Sequence, residues 1–279
     1  MGKAPPAQCA RHVIVTGGSS GIGAAIADAY AQRGANVSLL ARTAAALDRK
    51  KRELEARFGQ NGQRFHRETA DVRDAGATAR ALGRCEGACG PCTILVTSAG
   101  IVEPAAFDAQ DADRFDAQIA TNLIGTANAV RAVFGRMKER RSGQILLIGS
   151  GAGLTGLFGY SAYCASKAGL IGFAEALRQE GRPYGITVSI CLPPDTETPQ
   201  LAAERRLRPP EAEVIIGTVR PWSAEAVAEA AVRGLERKRE AIHPGLAIKA
   251  LAHSGPFAPL LRRWFDRKIA RAMRPTPGL

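Results

Sequence analysis

Apolar and polar positions along this chain follow two alternating periods. His12–Thr16 is a short, largely β-branched run, and Ile22, Ala25, Ile26 and Ala29 then recur at helical spacing. Gly34 ends that helix, residues 36–40 make a second apolar run, and residues 44–58 read as a mostly polar, charged helix. Runs at 65–68, 93–97, 144–149 and 187–192 predict four further strands. Helices are expected over 114–137 and 163–180. No repeat or low-complexity block interrupts the series.

This βαβ order predicts an α/β fold, a Rossmann-type doubly wound parallel sheet with helices on both faces. Ligands in such a fold gather beyond the carboxyl ends of the strands, where Gly17, Asp71, Gly100 and Ser150 fall. The expected organisation is a flexible segment over 1–10, a Rossmann-type domain over 11–235 and a basic amphipathic C-terminal extension over 236–279. Residues 195–222, a long connection inside the domain, form a candidate substrate lid.

The first strand runs into Gly17-Gly18-Ser19-Ser20-Gly21-Ile22-Gly23. Glycines here permit a tight turn, close approach of a pyrophosphate and packing of the next helix, whose N-terminus offers N–H groups to an anion. The second strand ends in Leu39-Leu40-Ala41-Arg42, with a cation where an acid would accept ribose hydroxyls. Arg42 can grip an added phosphate through a charge-assisted fork, supplemented by the Ser19 hydroxyl, so NADPH is expected over NADH. Further along, Tyr163 and Lys167 stand four apart, one helical turn on one face. A cation so placed is expected to favour the phenolate and bring Tyr163 nearer neutrality as an acid or base.

Composition narrows the classes. Charged residues are 23% and hydrophobic ones 46% of 279 residues, ordinary for a globular enzyme. The first ten residues lack an apolar core of signal-peptide length, and no apolar run has the length of a membrane span. A reducing, cytoplasmic setting is therefore expected, with the cysteines as thiols. Cys85, Cys89 and Cys92 cluster as CEGACGPC, but no fourth ligand follows at a metal-site spacing, so they are read as thiols in a loop before a strand and no metal is assigned. The net charge is +12, of which residues 233–274 supply +8, from eleven Lys or Arg against three acids. Such a tail suits anionic lipid, nucleic acid or an acyl carrier, and charge alone does not choose among them.

Thr16 through Gly23, Asn122, Ser150 and Tyr163-x-x-x-Lys167 together resemble the short-chain dehydrogenase/reductase family over about residues 11–235. The resemblance implies a catalytic tetrad of Asn122, Ser150, Tyr163 and Lys167. Tyr163 would donate the proton, Ser150 would hold the carbonyl oxygen, Lys167 would bind ribose hydroxyls, and Asn122 would hold a water leading to solvent. Read without the resemblance, Asn122 is a polar helix residue that locally bends the chain. Cofactor contacts are implied for Thr16, Gly17, Ser19, Ser20, Gly21, Ile22, Gly23, Asp71, Val72, Ser98, Ala99, Gly100, Tyr163, Lys167, Pro193 and Thr196. A homo-oligomer is implied as well. Two departures stand out: Ser98 replaces the usual Asn of a loop brace, and Pro193-Pro194 replaces Pro-Gly.

Residues 156–163 and 193–199, with 137–141, look like the subgroup of 3-ketodihydrosphingosine reductases. That implies a long-chain 3-keto amino-alcohol lipid as substrate. Leu201, Leu207, Val214, Ile215 and Ile216 would then face an acyl chain, or else anchor a local helix. Asp195 or Glu197 would meet the amino group, or else lie solvated in a loop. Leu246, Ile248, Leu251, Phe257, Leu260, Leu261, Trp264, Phe265 and Ile269, interspersed with cations, suit either peripheral contact with an anionic membrane on its cytoplasmic face or packing on the domain or a second copy. Pro256 and Pro259 argue against one continuous helix there. A 3-oxoacyl or other ketone reductase would share the same catalytic groups, and a noncatalytic dinucleotide-binding or membrane-associated protein would share the fold. Nucleic acid is not expected as a partner.

Overall fold

A computed structural model describes residues 11–216 and 220–273; the 1–10 segment read as flexible lies outside the described residues. In chain order the elements are β1 (His12–Thr16), α1 (Gly21–Gln32), β2 (Asn36–Ala41), α2 (Ala44–Phe58), β3 (Phe65–Thr69), α3 (Ala75–Cys89), β4 (Ile94–Thr97), α4 (Ala112–Ile119), α5 (Gly125–Glu139), β5 (Gly143–Ile148), α6 (Ser161–Gly181) and β6 (Ile186–Cys191). A two-residue strand pair, β7 (Thr196–Glu197) with β8 (Trp222–Ser223), brackets α7 (Pro199–Arg205) and α8 (Pro210–Ile216). Then come α9 (Ala224–Glu236), β9 (Ala241–Ile242), α10 (Leu246–Ala252) and α11 (Ala258–Ala272).

Seven parallel strands form the main sheet in the order β3-β2-β1-β4-β5-β6-β9. The order reverses between β1 and β4, which opens the crevice used by ligands in doubly wound sheets. The period of two in β1 separates the core into two layers. Val13 and Val15 join Ile26, Tyr30 and Val232 on one face, while Ile14 joins Leu82, Leu95, Val133 and Met137 on the other. Burial on both faces is why β1 reads as an unbroken apolar run rather than an alternating one.

Two expectations change and a third holds. Cys85 and Cys89 lie on α3, not in a loop; the helix starts at Asp74, whose side chain accepts a bond from the Ala77 N–H, and buries Thr78, Ala81, Leu82, Cys85 and Cys89 at helical spacing. Burial pushes the Cys85 thiol up to about 12 and raises Cys89 and Cys92 as well, as for packed, unreactive cysteines. The single helix expected over 114–137 is interrupted by a π-helical turn at Ala120–Ile124. Finally, the chain breaks between α10 and α11 as the prolines suggested, and both helices fold back over the carboxyl end of the sheet, where they line a cavity.

Candidate active site

The first βα turn packs too closely for side chains. Gly17 has φ +67°, and a Cβ there would sit 2.6 Å from the Ala99 nitrogen; at Gly23 a Cβ would collide with the Gly17 carbonyl. The last glycine therefore lets α1 pack on the turn itself rather than on the strand. The Gly17 N–H donates to the Leu40 carbonyl at 2.7 Å, tying the turn to β2. Ser20, the N-cap of α1, makes no side-chain capping bond, so the first turn faces the cavity with its backbone donors.

A cavity of about 770 Å³ opens above this turn. Gly17, Ser19, Ser20, Gly21, Ile22, Arg42, Asp71, Val72, Ser98, Ala99 and Gly100 line one end of it. Thr16 and Gly23 do not: both are buried beneath the surface they shape. Thr16 braces the β4 loop, its carbonyl accepting from the Ser98 N–H at 3.1 Å and its hydroxyl from the Ala99 N–H at 3.4 Å. That backbone bracing holds the loop despite Ser98. Asp71 is gripped by Arg73, whose Nε donates at 2.9 Å and Nη2 at 2.6 Å to Oδ2, and this holds its carboxyl below the usual range. Arg73 was not singled out from the sequence.

Ser150, Tyr163, Lys167, Pro193 and Thr196 line the middle of the cavity. Ser150 follows β5 and lies close enough to Tyr163 on α6 to ease its ionisation; one turn on, Lys167 Nζ donates to the Ile148 carbonyl at 3.0 Å. Nζ lies 5.6 Å from the centre of the Tyr163 ring. The expected direction of the Tyr163 shift is reversed. Tyr163 keeps some surface open to the cavity, but the protein around it penalises the phenolate and raises its pKa; Ser150 opposes this and is outweighed. Burial likewise lowers Lys167 to about 8. Desolvation disfavours both charged forms, so the pair is set to hold its proton on Tyr163.

Asn122 lies in the π-helical turn, fully buried, and does not line the cavity. Its Nδ2 donates to the Ile101 carbonyl at 2.9 Å and to Ser166 Oγ at 3.0 Å, while Oδ1 accepts from the Ile101 N–H at 2.8 Å. These bonds clamp the loop after β4 to α6. A Cβ at Gly100 would stand 3.2 Å from Asn122 Oδ1 and 3.7 Å from Lys167 Nζ, so a side chain there would crowd Asn122.

The far end of the cavity is apolar. Of the lid residues, Leu201, Ile215 and Ile216 line it, whereas Leu207 is exposed and Val214 stands outside the wall. Ile248, Leu251, Phe257, Leu261, Trp264 and Phe265 close it from the C-terminal helices. Asp195 lines the cavity but is paired with Arg208; Glu197 is exposed and does not. Sequence reasoning also missed a buried cluster here. Arg208 donates to Glu204 at 2.7 Å, Asp195 at 3.1 Å and Glu213 at 3.0 Å, and the Tyr160 hydroxyl donates to Glu204. Burial opposes the charge on Arg208, but Glu204 and Asp195 outweigh it and hold the guanidinium ionised. Only the i,i+4 spacing of Glu204 and Arg208 could have hinted at this.

The sequence profile of the short chain dehydrogenase family matches residues 11–208. The chain is 37% identical over 223 residues to the 3-ketodihydrosphingosine reductase of Bos taurus, covering 80% of this chain and 67% of that one. It is 39% identical over 223 residues to the 3-dehydrosphinganine reductase of Danio rerio, with the same coverage of 80% and 67%. Among solved structures it resembles a short-chain dehydrogenase from Sphingobium yanoikuyae in complex with NADPH, with TM-score 0.74, 26% identity, and coverage of 96% of this chain and 98% of that one.

Proposed function

The chain belongs to the short chain dehydrogenase family, and on that premise we propose that it is an NADPH-dependent reductase of a long-chain 3-ketosphinganine, giving sphinganine. One observation carries this reading. Ser150, Tyr163 and Lys167 stand where a glycine-rich phosphate cradle meets an apolar chamber within a single cavity.

The residues present fit NADPH. Gly17 and Gly21 adopt left-handed backbone, the first turn of α1 points its donors at a pyrophosphate, and Arg42 at the rim suits the added ribose phosphate. When bound, NADPH supplies the hydride. Ser150 donates a hydrogen bond to the substrate carbonyl oxygen, and Tyr163 gives that oxygen its proton as charge builds on it. A phenol whose pKa is raised by burial keeps this proton until the more basic alkoxide develops. Lys167 holds ribose hydroxyls and steadies the phenolate that remains. Asn122 keeps Lys167 and the β4 loop in register.

Replacing Arg42 by Asp is expected to lower the preference for NADPH over NADH by roughly 10- to 100-fold, the worth of one charge-assisted phosphate bond. Fluorescence titration of each nucleotide, without substrate, measures it. An unchanged ratio of the two affinities removes Arg42 from the phosphate site.

The lipid substrate also suggests how the protein meets its surroundings. Among the described residues no helix is long and apolar enough to cross a membrane. Phe257, Leu260 and Trp264 are exposed on or next to α11, which also carries Arg262, Arg263, Arg267, Lys268 and Arg271. Phe257 and Trp264 also border the cavity. These observations support a basic amphipathic end that rests peripherally on anionic lipid at a cytoplasmic membrane face. The homo-oligomer implied by the family pattern belongs to the same proposal.

One assay tests substrate and surface together. With 3-ketosphinganine carried in anionic vesicles, the protein is expected to oxidise NADPH and release sphinganine, identified by mass. Turnover should be several-fold slower from zwitterionic vesicles. Equal rates from both vesicles remove the lipid contact. Failure on 3-ketosphinganine beside brisk reduction of matched 3-oxoacyl substrates removes the sphingoid assignment.

A further inference from the structure

The proton-transfer scheme leaves the cluster around Arg208 without a task, yet it stands at the reacting end of the cavity. Tyr160 and Tyr163 lie within one turn of each other, with ring centres 6.3 Å apart and edge-on. The Tyr160 hydroxyl and the Arg208 guanidinium both bind Glu204, and Arg208 also reaches Asp195 at the end of the β6 loop. Arg208 is 2% exposed and Glu204 10%. Both Asp195 and Glu204 line the cavity, and both are close enough to Tyr163 to help hold its proton in place. Glu213, the third carboxylate on Arg208, reaches it from the solvent side.

The charges in this cluster do not balance. One guanidinium faces two carboxylates in the cavity wall and a third at the surface. Carboxylates taken out of water are costly unless each meets a counter-charge. The wall is therefore ready for one more cation. In a 2-amino-3-ketone the ammonium is attached to the carbon beside the carbonyl. With the carbonyl oxygen between Ser150 and Tyr163, the nitrogen must fall within a few bond lengths of Tyr163, on one side or the other. Away from the cofactor end, the wall near Tyr163 carries Asp195 and Glu204.

We propose that Asp195 and Glu204, held in place by Arg208 and Tyr160, form the subsite that receives the substrate ammonium and thereby selects an α-amino ketone over a neutral one. This rests on the sphingoid reading given above. Glu204 is pinned from two sides and sets the position of Arg208. Asp195, with 27% of its side chain exposed, is the freer carboxylate and makes the closer contact with the amine. The apolar end of the cavity would hold the alkyl chain equally well for either type of ketone, so the charge pair carries the discrimination.

The test compares Asp195→Asn and Glu204→Gln in the full chain with NADPH. The substrates are 3-ketosphinganine and the matched long-chain 1-hydroxy-3-ketone that lacks the amine. Asp195→Asn is expected to lower kcat/KM for the amino ketone roughly 10- to 100-fold, chiefly through KM, and to lose at least ~10-fold more on it than on the neutral ketone. Glu204→Gln should shift the preference the same way, and if its melting curve shows it unfolded, Asp195→Asn decides alone. If wild type reduces 3-ketosphinganine but the variants lose equal factors on both ketones, the ammonium subsite is overturned and the sphingoid reading stands. If wild type reduces only the neutral ketone, both fall.

Discussion

Tyr163→Phe is expected to lower kcat for ketone reduction by about 10²- to 10⁴-fold, the usual worth of a positioned general acid, with NADPH binding close to wild type. The prediction follows from placement. Tyr163 stands beside Ser150 at the point where the cofactor end and the apolar end of the cavity meet, and burial works against its phenolate. Ser150 remains in the variant, but an aliphatic hydroxyl is a far weaker acid and its own bonding to the Ala152 N–H is structural. Loss of one hydroxyl should change stability by no more than about 1 kcal/mol. Stopped-flow NADPH oxidation together with a urea melt separates the two effects. Near wild-type turnover by a folded variant would remove Tyr163 from proton transfer.

Lys167→Met is expected to act in opposite directions on activity and stability. Turnover should fall by about 10²-fold or more, since the group proposed to hold the ribose and steady the phenolate is gone. The unliganded protein, however, should become more stable near neutral pH. Lys167 is lowered by burial to about 8 from an ordinary 10.5. Below pH 8 both folded and unfolded chains carry its proton, and the folded state bears the full cost of burying the charge. Between about 8 and 10.5 the unfolded chain still binds the proton while the folded one has released it, so wild-type stability rises with pH across that window. The shift corresponds to about 3 kcal/mol, and loss of the bond to the Ile148 carbonyl returns about 1, leaving a gain of about 2 kcal/mol. Urea unfolding near pH 7 and near pH 9.5 should show the variant's advantage shrinking at the higher pH. An advantage that did not change with pH would mean that Lys167 is not buried as a cation.

Much of the frame could be read in advance, because the residues involved speak locally. His12–Thr16 is a largely apolar run that ends in glycines, and it is β1 without adjustment. α2 likewise occupies residues 44–58, where a mostly polar, charged helix was expected. The misreadings have physical causes of their own. The cysteines of α3 drew attention to metal spacing and hid a helical stripe that began with a capping Asp74. The helix through Asn122 was expected to be continuous because a π-helical turn adds one residue without altering composition. Asn122 sits at that interruption, as its reading as a chain-bending polar residue expected, and it also clamps Ile101 to Ser166, which neither reading foresaw.

The cavity wall depended still more on packing. Asp195 read as a carboxylate that meets the substrate amine or lies solvated in a loop, and neither reading pointed to its partner Arg208, 13 residues on and buried. Glu204 and Tyr160 are 44 residues apart and share a hydrogen bond. The C-terminal helices present residues on both sides, some to the cavity and others outward.

By itself the sequence determined the first six strands of the main sheet, the helices α1, α2 and α6, the glycine turn, the one-turn spacing of Tyr163 and Lys167 and the cation after β2. Each of these is decided by neighbours within a few residues, through hydrophobic period, backbone freedom at glycine and the pitch of a helix. Only the tertiary structure decided that burial works against the Tyr163 phenolate, that Asn122 is a clamp, that Arg208 gathers carboxylates in the cavity wall, and that α10 and α11 close the apolar end. Those properties arise from desolvation and from partners brought together across the chain, and both exist only once the layers have packed.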